Sequence, residues 1–143
     1  MINNLALGTL MITLTVLVHT FGLIAVTKVM ARMVARFRMH GHRSRVVAMV
    51  SIVTGLFVVL AVEIWLWAAC YLAINLLPDF ETALYFSIVT FSTIGYGDIV
   101  PGHDWRVLAA LEGINGFLFI GWSTAYLVAA GTRVGPFRSG EHF

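Results

Sequence analysis

Three apolar runs, Leu5 to Val29, Val46 to Leu77 and Val107 to Ala130, constrain this chain more than any other feature. Each is long enough to cross a hydrocarbon core about 30 Å thick, which takes roughly 20 residues of helix. At 59% hydrophobic and 11% charged residues over 143 positions, the chain is too apolar to present a soluble surface. It reads as an all-α membrane protein with three transmembrane helices. The length leaves no room for a soluble catalytic domain, so no enzyme is expected. The first run precedes its positive charges and lacks a small-residue cleavage site, so it reads as a retained helix rather than a signal peptide.

Charge sets the expected orientation. Eight of the nine Lys and Arg residues fall in "KVMARMVARFRMHGHRSR", between the first two runs, or after the third run at Arg133 and Arg138; only Arg106 lies elsewhere. Short basic loops resist translocation, which puts both flanks in the cytoplasm. The expectation is a multi-pass protein of the cell (inner) membrane with its amino terminus outside and its carboxyl terminus cytoplasmic.

Pro78 to Asp104 then lies on the outer side, where Asp79, Glu81, Asp98 and Asp104 suit it. Within it "ETALYFSIVTFS" reads as a short apolar helix, with Asp79 as N-cap and Glu81 in the first turn. About a dozen residues are too few to cross. A half-helix that dips in and returns as extended chain exposes backbone at membrane depth, which is tolerated only where protein buries it or water reaches it.

The extended chain that follows is "TFSTIGYGD". At Thr93, Gly95, Tyr96, Gly97 and Asp98 it resembles the potassium-channel signature, with Ile94 where valine is commonest. The alternative, a plain glycine turn in a loop, leaves the half-helix and the flanking spans without a reason. The resemblance covers about Val46 to Ala130, and "GDIVPGHDWRVLAALEGINGFLFIGWSTAYLV" is similar to the outer mouth and inner helix of small bacterial members. It implies an N-terminal transmembrane helix (1–30), a basic linker (31–45), a pore domain (46–130) and a short cytoplasmic tail (131–143). The pore domain would divide into outer helix 46–77, pore helix 79–92, selectivity filter 93–97 and inner helix 105–130. A closed ring needs four pore loops, so a homotetramer is implied.

In that reading, carbonyls of Thr93, Ile94, Gly95 and Tyr96 replace the hydration shell of potassium, the permeant ion, and no cofactor is expected. Gly95 and Gly97 allow backbone angles that a side chain penalises. Thr93 adds a hydroxyl to the lowest ion site, and Tyr96 packs outward against surrounding pore helices. Asp98 concentrates cations at the mouth. Two alternatives stay open. A non-selective cation channel usually lacks the tyrosine or second glycine, whereas Tyr96 and Gly97 are both present. A non-conducting structural or regulatory subunit would need none of the filter chemistry.

Filter support departs from familiar members. Tyr85 and Phe86 stand where a tryptophan pair is common, and Val89 stands where some bacterial channels place a glutamate, so no carboxyl pair with Asp98 forms there. Tyr85 is left as a hydrogen-bonder to Asp98 or as packing. On the inner helix Gly113, Gly116 and Gly121 mark bends or close contacts. Gly116 lies nearest the family's gating hinge, and Gly121, Ala125 and Ala129 continue the face of Leu118, as pore lining or as close helix packing.

Acids inside spans are functional candidates. Glu112 is phased away from the pore stripe toward the second helix or pore helix, as a scaffold acceptor or a proton sensor. Glu63 is expected to share a proton with Glu112, or to bond Trp65 or Trp67 of a nearby chain. His19 reads as an interhelical hydrogen-bonder, His40 and His42 make no convincing metal site, and lone Cys70 reads as packing. Lys28, Arg32 and Arg36 recur every fourth position rather than every third, unlike a voltage-sensing helix. They suit a basic interfacial face toward anionic lipid, or topology-setting charge alone. No nucleic-acid partner is expected. With no sensor domain foreseen on either side, control is expected from the filter, lipid or protons.

Overall fold

The computed structural model of the single chain describes the backbone of residues 1–37 and 42–134, and the side chains of 1–33 and 45–133. The elements are α1 (Ile2–Phe37), α2 (His42–Ala73), α3 (Phe80–Phe91) and α4 (Arg106–Val134), with no strand among the described residues. α1, α2 and α4 are long and apolar enough to cross a membrane; α3 is not. The protein is a multi-pass α-helical membrane protein. Pro78 and Pro101 both fall in the connections on either side of α3, where a missing N–H breaks no helix bond.

Helix ends depart from the apolar runs where a local stop or a continuing propensity overrides hydrophobicity. α2 ends at Ala73, four residues before the run does. Asn75 takes φ 55°, the Leu76 N–H reaches the Tyr71 carbonyl and the Asn75 N–H the Leu72 carbonyl, both at 2.9 Å. That pair of bonds is a Schellman stop, and asparagine tolerates the left-handed angle it needs. α1 instead continues through the basic stretch to Phe37, a 36-residue helix about 54 Å long at 1.5 Å per residue. The expected linker 31–45 is therefore mostly helix. Residues 38–41, His40 among them, lie outside the described residues, as do the side chains of Arg36 and His42 and the tail from 135.

Two buried clusters hold the bundle. Around α3, Trp67, Tyr71, Phe86, Phe91, Leu108 and Phe119 pack together with Cys70 at their edge. At the other end Leu23, Met30, Ala48, Ile52 and Leu56 pack with Tyr126 and Leu127. α1 lies along both α2 and α4. Its approach to α2 is reciprocal: Val59 fills the space over Gly22, and Val26 the space over Gly55. Without a hydrophobic drive between helices in lipid, such close packing is what holds them together.

Candidate functional site

The segment Thr93–Asp98 is presented by the end of α3. Asp79 caps the start of α3, its carboxylate accepting from the Thr82 N–H at 2.9 Å and the Thr82 hydroxyl at 2.8 Å. These bonds hold the Asp79 carboxyl below its ordinary range. At the far end the Thr93 N–H bonds the Thr90 carbonyl at 2.9 Å, and the Ile94 and Gly95 N–H groups converge on the Val89 carbonyl at 3.0 and 3.2 Å. The segment thus begins as a helix stop, its first residues tied to the last turn of α3.

Its backbone then alternates. Thr93, Gly95 and Gly97 have φ of 60°, 58° and 78°, while Ile94 and Tyr96 between them stay at negative φ. In an ordinary strand successive carbonyls point to opposite sides. Reversing the sign of φ at every second residue is the pattern that can turn them to one side. Gly95 and Gly97 accept these angles freely. Thr93 does not: a β-branched residue in the left-handed region is a genuine outlier, costing roughly 1–2 kcal/mol. A glycine would stop the helix as well, so what threonine adds is its hydroxyl. Ile94 and Tyr96 stand 53% and 69% exposed in the single chain, and a Cβ on Gly95 or Gly97 would meet nothing within 4 Å.

Asp98 follows, and the Tyr85 hydroxyl donates to its Oδ2 at 2.6 Å. That bond, with smaller help from the Ile99 N–H, holds the Asp98 carboxyl below the usual carboxylate range. Of the two roles left open for Tyr85, the geometry gives the hydrogen bond. Val89 is buried and its side chain offers no polar group.

Behind the segment sits Glu112, fully buried. Tyr71 of α2 donates to its Oε2, and Ser87 of α3 donates to its Oε1 at 2.5 Å. One carboxyl of α4 thus gathers the helix before and the helix bearing the filter segment. Gly116, one turn on, lies against the end of α3: a Cβ there would overlap the Phe91 carbonyl. Its smallness brings α4 against α3. Gly121 has open space around it, and it shares an exposed face of α4 with Leu118, Ala125 and Ala129.

Glu63 corrects an expectation. It shares no proton with Glu112; its Oε1 lies 2.9 Å from His19 Nδ1, and both side chains are fully buried. The bond spans α1 and α2, which lie side by side at this level because of their paired glycine and valine contacts. Glu63 is likewise out of reach of a neighbouring chain, and Trp67 is itself buried in its own chain. The His19 ring stacks on Phe119 of α4, centroids 4.6 Å apart at 7°.

Sequence reasoning missed Asn4 and Asn115. Asn4 of α1 donates to the Asp104 carbonyl at 2.7 Å and accepts from the Leu108 N–H at 3.1 Å, so a side chain from another helix caps α4. Asn115 donates to Thr15 at 3.0 Å. The signal was present, polar residues at positions 4, 15 and 19 of an apolar helix, but without a partner helix it had no meaning. No cluster of three or more His, Cys, Asp or Glu suited to a resident metal occurs among the described residues.

A family profile described as "Ion channel" matches residues 57–133, more than half of the chain. Two-pore potassium channel 4 of Arabidopsis thaliana is 82% identical over 42 residues, 29% of this chain and 15% of that protein. The chain therefore spans a small part of the length of that curated relative. No solved structure matches. The profile covers the second half of α2, all of α3, the TIGYG segment and nearly all of α4, and leaves α1 outside. On that match the chain belongs to the ion-channel family, as its resemblance to the potassium-channel pore domain implied.

Proposed function

We propose that four copies of this chain form a potassium-selective pore in the cell (inner) membrane, passing the ion passively. The observation that carries the reading is the alternation of φ at Thr93, Gly95 and Gly97 within TIGYG, directly after a half-helix. Four such strands around an axis supply rings of carbonyls from Thr93, Ile94, Gly95 and Tyr96 in place of water around the ion. Dehydration is then offset at each site, and closely spaced sites let one ion displace the next. Asp98 at the mouth raises the local cation concentration.

The exposed face of the segment supports assembly into a homotetramer. A concavity of about 310 Å³ beside the filter, lined by Tyr85, Val89, Asp98 and Gly113 among others, suits the exposed Tyr96 ring of a neighbouring copy. The exposed stripe of Leu118, Gly121, Ala125 and Ala129 would line the cavity below, with Gly116 and Gly121 as its points of bending. The name of the Arabidopsis relative supports potassium as the ion. The basic ends of α1 and α2 support a cytoplasmic location for that side, with the filter facing out.

Purified protein in liposomes tests the proposal. Potassium efflux should be rapid and blocked by barium, a divalent ion of similar radius. Sodium efflux should be far slower. Equal potassium and sodium flux would replace the reading with a non-selective cation channel, and no flux with a non-conducting subunit.

A further inference from the structure

A groove runs between α1 and α4 on the half of the bundle away from the filter. Thr20, Leu23, Ile24 and Thr27 form one wall and Trp122 and Tyr126 the other, enclosing about 430 Å³, with Lys28 at one end. The hydroxyls inside it are already used: Thr20 Oγ1 donates to the Val16 carbonyl at 2.8 Å, and Thr27 Oγ1 and the Tyr126 hydroxyl bond each other at 2.7 Å. What remains is an apolar channel closed by a cation. Arg32 stands exposed one turn further along α1, and Arg45 and Arg133 lie at the same end of the bundle, on the first turn of α2 and the last of α4. No described acid accompanies them. Glu63 is buried with His19, and Asp79, Glu81, Asp98, Asp104 and Glu112 belong to the filter half.

We propose that this groove binds one acyl chain of an anionic phospholipid, with the headgroup phosphate on Lys28 and Arg32. An apolar slot ending in cations with no acid partner among the described residues matches an amphiphile with a negative head. A second copy of the chain does not supply that match. Copies sharing one membrane orientation carry their described acids at the opposite end. The occupant would touch α1, outside the matched ion-channel region, and α4 within it, and the proposal stands whether or not the filter conducts.

Trp122 provides the probe. The full chain is reconstituted in phosphatidylcholine vesicles containing either brominated phosphatidylglycerol or brominated phosphatidylcholine. The emission assigned to Trp122, by difference from Trp122→Phe, is then followed. Brominated phosphatidylglycerol should quench it in preference to brominated phosphatidylcholine. Lys28→Gln, at an exposed position, should cut that preference about five-fold, the effect of one cation near an anionic surface. Inorganic phosphate should leave the preference intact. Equal quenching by the two lipids, an unchanged preference in Lys28→Gln or displacement by inorganic phosphate would each overturn the assignment. So would an unquenched Trp122 that cross-links to a second copy.

Discussion

The TIGYG segment and the buried scaffold behind it belong to one chain and are opposite in construction. Ile94 and Tyr96 are exposed and nothing packs over Gly95 or Gly97, whereas Tyr71, Ser87, Glu112, His19 and Glu63 are completely buried and bonded in pairs or threes. The single chain buries its scaffold and pairs most of it, with His19 Nε2, Glu63 Oε2 and Trp67 Nε1 left without a hydrogen-bond partner among the described residues. It leaves the TIGYG segment as an exposed surface, in keeping with the proposed pore built by several copies. The difference teaches where mutations should separate function from folding: in the segment they should remove flux and spare the helices, and in the scaffold the reverse.

The largest effect belongs to the filter. Gly95→Ala forces a side chain onto φ 58°, an angle that glycine takes freely and alanine does not, and potassium flux should vanish while the assembled, helical protein survives. Flux like that of the unaltered protein in that variant would remove the filter assignment. On the scaffold side, Glu63→Ala leaves the buried His19 Nδ1 without its partner, and an unsatisfied buried polar group costs about 1–3 kcal/mol. Denaturant titration should show it. His19→Phe with Glu63→Leu, which keeps the stack on Phe119, should restore most of that loss. A comparable scaffold change is Gly116→Ala, whose methyl must push α4 off the Phe91 carbonyl; overpacking of this kind costs about 1–3 kcal/mol.

Glu112→Gln sharpens the comparison, because it lies between the two regions. The amide presents an N–H₂ to one of two hydroxyl donors, Tyr71 or Ser87, at about 1–3 kcal/mol. If the carboxyl also senses protons, currents recorded across pH should lose their pH dependence with selectivity intact. Unchanged pH dependence would leave Glu112 a scaffold acceptor alone. The smallest effect is expected from Tyr85→Phe. The Tyr85 hydroxyl depresses the Asp98 carboxyl, so its contribution is present above the ordinary carboxylate pKa and is lost as pH falls through the lowered one. Without the hydroxyl, the acid-induced loss of flux should begin at a higher pH. An identical acid limb in the two proteins would show that the bond does not steady the mouth.

What the sequence determined alone was whatever depends on local or periodic chemistry. Three apolar runs made three spanning helices, Asp79 made a cap, and two glycines spaced by Tyr96 made a segment with alternating φ, because each of these is decided within a few residues. Glu112 could be phased toward its neighbours by counting turns along one helix. Tertiary structure decided which partners met. Glu63 was as legible an intramembrane acid as Glu112, yet nothing in α2 announces that His19, 44 positions earlier, lies beside it. That adjacency follows from Gly22 and Gly55 letting α1 and α2 close on each other's valines. Asn4 capping α4 across about a hundred residues, and Gly116 seating α4 on the end of α3, arise in the same way. In an apolar solvent buried polar groups must find one another, and packing, which sequence distance does not encode, chooses the pairs.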